Sequence, residues 1–232
     1  MVRERVIDAL AEVYDPELDE PITRLGFVSW CEVSPDGDVD VALRLPTPQC
    51  APNFAFLMAA DARNVVRRLP GVGRVTITLD DHYTADEINA AIGRGEGFTG
   101  AFPGETDDDK LGALRELFQR KALTARQAAV CEVMLAGGWE VGALAGAVVA
   151  DLPDDAAVRR CLELREQLGI ASGADAPAFV LPSGEPLESG QMQRWLRMAR
   201  LVGTSLEANG GICRSLLQVR HDLATQSQED LR

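Results

Sequence analysis

The sequence has few aromatic and few basic residues. Aromatic side chains make up 5% of its 232 residues, and the formal net charge is −13. Residues 1–100 contain 9 basic and 17 acidic side chains, which leaves 14 and 19 for the remainder. Because nucleic-acid binding depends on lysines and arginines that contact phosphates, this charge argues against a nucleic-acid partner. The stretch TARQAAVCEVMLAGGWEVGALAG has the outline of a helix-turn-helix, but its second helix carries no basic residue.

Long apolar runs and paired cysteines are also absent. No run of about eighteen apolar residues occurs, so no membrane span is predicted. The start, MVRERVIDAL, lacks the apolar core of a signal peptide. The five cysteines, at positions 31, 50, 131, 161 and 213, include no CxxC pair. We therefore expect a cytoplasmic protein with reduced thiols and no membrane partner.

The first part of the chain predicts a small domain with the order α-β-β-α-β. The segment ERVIDALAEV has helical spacing and ends at a proline, and SPDGD joins two β-rich runs as a hairpin turn. The segment NFAFLMAADARNVVRRLPGV predicts a second helix, and RVTITLDD a third strand. A single helix between the second and third strands favours a parallel pair. Residues 1–92 thus predict an α/β (α+β) domain with a small mixed three-stranded sheet.

The remainder of the chain is predicted to contain a glycine-rich linker followed by helices. The stretch GRGEGFTGAFPGETDDD, residues 93–109, is rich in glycine and ends in acidic residues, which predicts a linker or mobile lid. Residues 110–232 predict an all-helical domain, with TARQ as a capping box that begins a helix at residue 124. Further helices are predicted at residues 141–150, 155–168, 190–208 and 212–224, and residues 170–189 are predicted to form a loop.

Four side chains of the first domain are predicted to meet at one edge of the sheet. Cys50 follows the second strand and begins the crossover helix, and His82 follows the third strand. The carboxyl ends of parallel strands lie at the same edge. The first strand is antiparallel to the second, so the loop DPELDE, with Asp15 and Glu17, also lies there. A helix N-terminus favours the thiolate form of Cys50.

A thiolate, an imidazole and one or two carboxylates form a mixed site that suits iron or zinc. Such a set is too small to hold an iron-sulfur cluster alone, because a cluster usually takes four ligands. A cluster would therefore need ligands from a second subunit or from a client protein, and a homodimer is compatible with this requirement.

At these residues the sequence resembles the MIP18-like or PaaD-like (DUF59) family of iron-sulfur cluster assembly proteins. The similarity is carried by VIDALAEVYDPELDEPITRLGFV, VDVALRLPTPQC and VVRRLPGVGRVTITL, which together cover about a third of the chain. The resemblance implies a role in delivering or inserting iron or clusters, with Cys50 as the reactive cysteine. It also implies that Asp15, Pro16 and Glu17 match the acidic motif of the family.

The family context implies a partner for such a factor. Longer bacterial proteins of this type often occur with multicomponent di-iron monooxygenases and a chaperonin-like protein. We therefore expect a maturation factor, not an enzyme, whose helical domain recognises a client metalloprotein and whose first domain holds a labile iron or cluster. Metal ligands are expected at Cys50, Asp15 and His82, with Glu17 beside them.

The other four cysteines are expected to have no role at the site, and two alternative functions remain open. Cys31 is expected to pack as a small apolar residue, and Cys131 and Cys161 lie on apolar helix stripes that predict burial. Cys213 begins a predicted helix but has no partner motif, so it is not expected to be functional. The alternatives are a metal-free adaptor or folding chaperone, and an enzyme that uses Cys50 as nucleophile with His82 as base.

Overall fold

The computed structural model describes residues 2–104 and 108–229. The chain forms two compact units, Met1–Ala113 with Asn209–Arg232 and Leu114–Ala208. The first unit contains a small mixed sheet with helices, and the second is helical. The predicted fold class, an α/β domain followed by a helical region, is confirmed.

The first unit is built on a three-stranded sheet with the order β3-β4-β5. Its strands are β3 (Val28–Val33), β4 (Val39–Arg44) and β5 (Val75–Asp80). β3 and β4 are antiparallel, and β4 and β5 are parallel with Val39 opposite Val75. Val39, Val41 and Leu43 alternate with more exposed residues and are at most 2% exposed, as expected for a strand with one buried face. The predicted hairpin and the parallel pair are both present.

Helices cover the buried face of this sheet. They are α1 (Val2–Leu10), α2 (Pro52–Arg67) and α3 (Ala85–Arg94), and the short α4 (Phe98–Ala101) packs on α3. α2 and α3 pack on β5, and α1 packs on α2 and β3. Before the sheet, β1 (Tyr14–Asp15) and β2 (Glu20–Pro21) form a two-stranded antiparallel ladder that closes the DPELDE loop.

The glycine-rich stretch 93–109 contains ordered structure that its composition does not predict. It includes α4, and Phe98 is 5% exposed, with its ring 5.4 Å from that of Phe56 and edge-on to it. Phe102 packs on Phe98 at 4.8 Å between ring centroids. Phe98, Ala101 and Phe102 of the predicted linker therefore belong to the core of the first unit, and residues 105–107 lie outside the described residues.

The second unit packs helices and a long loop around one apolar core. Its elements are part of α5 (Asp108–Ala136), α6 (Val141–Leu144), a 3₁₀ turn (Val149–Asp151), α7 (Ala156–Gln167) and part of α8 (Ser189–Glu229). The loop between α7 and α8 lies where the sequence predicts it. It is held by the buried Arg165, which donates to the carbonyls of Ala171, Pro177 and Ala178.

Three expectations for this half of the chain differ from the structure. Residue 124 does not begin a helix, because α5 is continuous and the Thr124 hydroxyl donates to the Arg120 carbonyl one turn earlier. The region predicted as a helix over 141–150 is the short α6 followed by the 3₁₀ turn. The two helices predicted between residues 190 and 224 are one helix, α8, and its residues from Asn209 onward group with the first unit.

Candidate functional site

The loop that carries Cys50 connects the end of β4 to the start of α2. Cys50 stands two residues before Pro52, the first residue of α2, and its side chain is partly buried. The loop turns through Thr47, whose carbonyl accepts from the Cys50 amide at 3.4 Å. The Thr47 hydroxyl lies 3.5 Å from the Cys50 sulfur. The thiol therefore has a defined position at the carboxyl end of β4, as the topology predicts.

His82 fastens this loop from the end of β5. Its Nε2 lies 2.7 Å from the Cys50 carbonyl, and its Nδ1 lies 3.3 Å from the Thr84 amide nitrogen. Because an amide only donates, Nδ1 accepts, and Nε2 carries the proton that it donates to the carbonyl. The neighbouring Tyr83 amide donates to the Pro48 carbonyl at 3.1 Å. The segment after β5 thus binds the backbone of the thiol loop at two points.

These hydrogen bonds give His82 a different role from the metal ligand or base that the sequence predicts. The side chain is 7% exposed, and both ring nitrogens bind protein groups. Ligation of a metal through Nε2 would break its bond to the Cys50 carbonyl. Action as a base on the Cys50 sulfur would also require a different partner for Nε2. In this structure His82 positions the loop.

Asp15 combines a structural role with a place at the site. Its Oδ1 accepts from the amides of Glu17 at 2.8 Å and Leu18 at 2.9 Å, so the side chain closes the turn between β1 and β2. Burial raises the pKa of Asp15 to about 6, against the opposing effect of these two amides, and the negative charges of Glu17 and Glu20 add to the rise.

A cavity of about 110 Å³ brings the acidic loop and the thiol loop together. Asp15, Glu17 and Cys50 all line it, whereas His82 does not. The remaining walls are mostly apolar and come from Leu18, Phe27, Leu45, Pro46, Ala51, Phe54 and Met58. The predicted convergence of a thiol with carboxylates at one edge of the sheet is therefore present, with the imidazole behind the loop.

A second cysteine lines the cavity, and the sequence does not predict its position there. Cys213, on α8, lines it together with Cys50. Burial raises the pKa of Cys213 to about 11, and the charges of Asp15, Cys50 and Glu17 contribute to the rise. The sequence gives only a weak indication that Cys213 differs from the core cysteines, because Cys131 and Cys161 lie on apolar helix stripes and Cys213 does not. Its position near Cys50 depends on the path of α8, which local patterns do not reveal.

These groups do not form a finished metal site. Among the described residues, no three histidine, cysteine, aspartate or glutamate side chains converge closely enough to hold a metal ion by themselves. Thiols and carboxylates nevertheless line the same cavity. Such donors suit iron as well as an iron-sulfur cluster whose remaining ligands come from elsewhere.

Known proteins are similar to this chain in the domain that contains the cavity. The family model described as "Iron-sulfur cluster assembly protein" matches residues 3–78. An uncharacterised protein of Methanocaldococcus jannaschii is 32% identical over 92 residues, which span 40% of this chain and 95% of that protein. The N-terminal domain belongs to the iron-sulfur cluster assembly protein family. This finding confirms the resemblance and places the thiol loop, the acidic loop and the three-stranded sheet in one family domain.

Two curated relatives of this family carry a functional name. A protein of Mycobacterium leprae named iron-sulfur cluster carrier protein is 33% identical over 79 residues, and its Mycobacterium tuberculosis counterpart is 39% identical over 72 residues. The alignments cover 34% and 31% of this chain. This chain spans about a fifth of the length of each carrier protein, 20% and 18%. No solved structure matches the chain.

The helices give no indication of a membrane span. None of the described helices combines the length and the apolar character that crossing a bilayer requires.

Proposed function

We propose that this protein carries iron or a labile iron-sulfur cluster as cargo and delivers it to a client metalloprotein. The observation that supports this function best is the cavity in which Cys50 faces Asp15 and Glu17, inside a domain of the iron-sulfur cluster assembly family. A thiol and carboxylates are suitable ligands for iron. The protein then acts by binding and transfer, with no chemical conversion of a substrate.

The incomplete ligand set suits a carrier. A site that satisfied every coordination position would hold its cargo too firmly for transfer. Here Cys50 supplies a thiolate, Asp15 and Glu17 supply oxygen ligands, and His82 holds the loop that presents the sulfur. The remaining ligands of a four-ligand cluster come from a second copy of the chain or from the recipient. Reduced thiols are required throughout, which is consistent with the cytoplasm.

The helical unit supplies recognition of the client in this proposal. It has its own apolar core, so it folds around a separate set of contacts from the cargo domain. The client that we propose is a metalloenzyme such as a component of a multicomponent di-iron monooxygenase, or the chaperonin that assists it. Zinc competes for the same thiol and carboxylate ligands and would block iron loading.

Anaerobic reconstitution tests this function. The full chain is incubated with ferrous ion, sulfide and a thiol reductant and then desalted, and bound iron and sulfide are measured with the visible absorption spectrum. Wild-type protein is expected to retain cargo and pass it to an apo-ferredoxin. Cys50→Ala is expected to retain less than a tenth as much, because it removes the thiol that the cavity presents to the cargo.

Cys161→Ala is the matched control, because this cysteine is 1% exposed in the core of the helical unit. It should retain cargo like the wild type. Equal retention by Cys50→Ala and wild type would contradict the carrier function. A client that still co-purifies with Cys50→Ala, from a wild-type protein that never retains iron, would instead support a metal-free adaptor.

A further inference from the structure

We propose that Cys213 is a second thiol ligand of the cargo site, so that Cys50 and Cys213 bind a thiophilic metal ion or cluster together. This inference rests on the proposed function for the identity of the cargo. The two-thiol site itself follows from the geometry of the first unit. Cys213 lies outside residues 3–78, the region that the family model matches, so the family does not supply this ligand.

Cys50 and Cys213 share one cavity. Cys50 reaches it from the loop after β4, and Cys213 reaches it from α8, from the opposite end of the sequence. Both thiols are partly buried and neither is in a disulfide. Asp15 and Glu17 line the same space, so the cavity has carboxylates as well as two thiols in its walls.

Polar contacts also hold the helix immediately after Cys213. Arg214 binds both carboxylate oxygens of Glu20 through Nη1, at 2.5 and 2.6 Å. About two turns further along, Arg220 donates to the Leu45 carbonyl at 2.6 Å and to the Asp81 carbonyl at 2.7 Å. Leu45 begins the loop that carries Cys50, so Arg220 connects the helix of one thiol to the loop of the other.

This segment of α8 also packs closely against the first unit's loops. A Cβ atom on Gly210 would lie 2.7 Å from Oε2 of Glu20, so the absence of a side chain lets the helix approach the acidic loop. Leu217 is 5% exposed, and its Cδ2 lies 3.5 Å from the position that a Cβ on Gly26 would occupy. The segment is therefore docked by apolar contact as well as by its arginines.

Two thiolates change what the cavity can hold. One thiolate binds a soft cation weakly, whereas a pair supplies half of the four ligands that a cluster usually takes. The other two coordination positions remain open to a thiol of the recipient or of a second copy.

Cobalt(II) titration of the full chain under anaerobic conditions tests the pair. The sulfur-to-cobalt charge-transfer band grows with the number of thiolates bound to each ion, so it counts the ligands directly. We expect Cys213→Ser and Cys50→Ser each to show about half the wild-type band per bound cobalt, and the double variant to show none. Cys161→Ala should match the wild type. A wild-type band in Cys213→Ser would overturn the proposal.

A second measurement avoids substitution of Cys213. Dibromobimane becomes fluorescent when it links two thiols, and peptide mapping identifies the linked residues. Wild-type protein is expected to give a Cys50–Cys213 cross-link at pH 8.5, where more thiolate is present. Failure to form this cross-link would also contradict the proposal.

The two proposals fail in distinguishable ways. If cobalt binds through both thiols but the protein never retains iron with sulfide, the two-thiol site stands and the carrier function is wrong. If iron and sulfide are retained through Cys50 while Cys213→Ser changes neither the cobalt band nor the retention, the carrier function stands and the second ligand is wrong.

Discussion

The helical unit of this protein contains one pair of cysteines, and the first unit contains Cys31 and a second pair, Cys50 and Cys213. The environments of the two pairs differ. Cys131 and Cys161 are 0% and 1% exposed in the apolar core of the helical unit. Cys50 and Cys213 are only partly buried and line a cavity with two carboxylates. The same residue type fills space in one unit and lines a small cavity that contains carboxylates in the other. Neighbouring groups, more than the cysteines themselves, distinguish a core position from a site.

The buried polar side chains of the two units also differ in their roles. In the helical unit, Gln127 and Arg165 are fully buried and satisfy backbone groups, since Gln127 binds both the amide and the carbonyl of Val180. In the first unit, Asp15 and His82 also bind backbone groups, but the loops that they hold form the wall of the cavity. The helical unit uses its polar groups for stability, and the first unit uses them for stability and for placement of a thiol.

The largest predicted difference between the pairs is in thiol reactivity. Burial raises the pKa of Cys131 to about 12, with smaller contributions from Glu132 and Cys161. Relative to its ordinary value of 9.0, this shift lowers the thiolate fraction about a thousand-fold. Alkylation by iodoacetamide at pH 7.5, followed by peptide mass spectrometry, should modify Cys50 in the native protein and Cys131 only after unfolding. Equal rates at the two sites would contradict the comparison.

Removal of the buried arginine should destabilise the helical unit strongly. Arg165→Met leaves the three carbonyls of the α7–α8 loop without their donor, so we expect a loss of about 3–4 kcal/mol in the free energy of unfolding. Hydrogen exchange should show the loss in residues 114–208 and spare the strands of the sheet. Arg194→Gln, at an exposed position of α8, is the control. A change of less than about 1 kcal/mol would contradict a stabilising role for Arg165.

Asp15 should make the stability of the first unit depend on pH. Its folded pKa, about 6, lies above its ordinary value of 3.8, so the folded state holds a proton that the unfolded state releases. The free energy of unfolding of the metal-free wild type therefore falls as pH rises through this window. Asp15→Asn avoids this loss, so it should be more stable than the wild type by up to about 3 kcal/mol above pH 6.

Urea denaturation of both proteins between pH 3.5 and pH 7.5 measures this difference. The two proteins should have similar stability near pH 3.5, where Asp15 is protonated in both states. The same variant should retain less iron, because an amide is a poorer ligand than a carboxylate. A stability difference that did not grow with pH would show that Asp15 is not buried as the structure describes.

The smallest predicted effect concerns the docked segment of α8. Arg220→Gln removes donors to the Leu45 and Asp81 carbonyls, and a loss of about 1–2 kcal/mol is expected in the first unit. The cross-link between Cys50 and Cys213 should form more slowly in this variant, whereas Arg194→Gln should leave it unchanged. An unaltered cross-linking rate in Arg220→Gln would indicate that this arginine does not hold the thiols together.

The sequence predicts the sheet and the thiol loop because both depend on local signals. Alternation in β4, the turn SPDGD and the proline after Tyr14 and Asp15 act within a few residues of the structures that they specify. The parallel pairing of β4 with β5 follows from the single helix between them. These features together predict the meeting of Cys50 with Asp15 and Glu17.

The features that the sequence does not predict depend on distant contacts. Glycines in the stretch 93–109 suggest a linker, but the Phe98 ring is buried against Phe56, and this packing outweighs the cost of ordering the glycines. The role of His82 depends on the Cys50 carbonyl, 32 residues away in sequence. Cys213 reaches the cavity only because α8 continues without a break past Asn209.

Anaerobic reconstitution of wild type, Cys50→Ala and Cys161→Ala, with iron and sulfide measured after desalting, tests the central claim most directly. We expect cargo to be retained when the core thiol of Cys161 is removed and lost when the cavity thiol of Cys50 is removed. Retention of the same iron and sulfide by all three proteins would show that the cavity is not the site that holds the cargo.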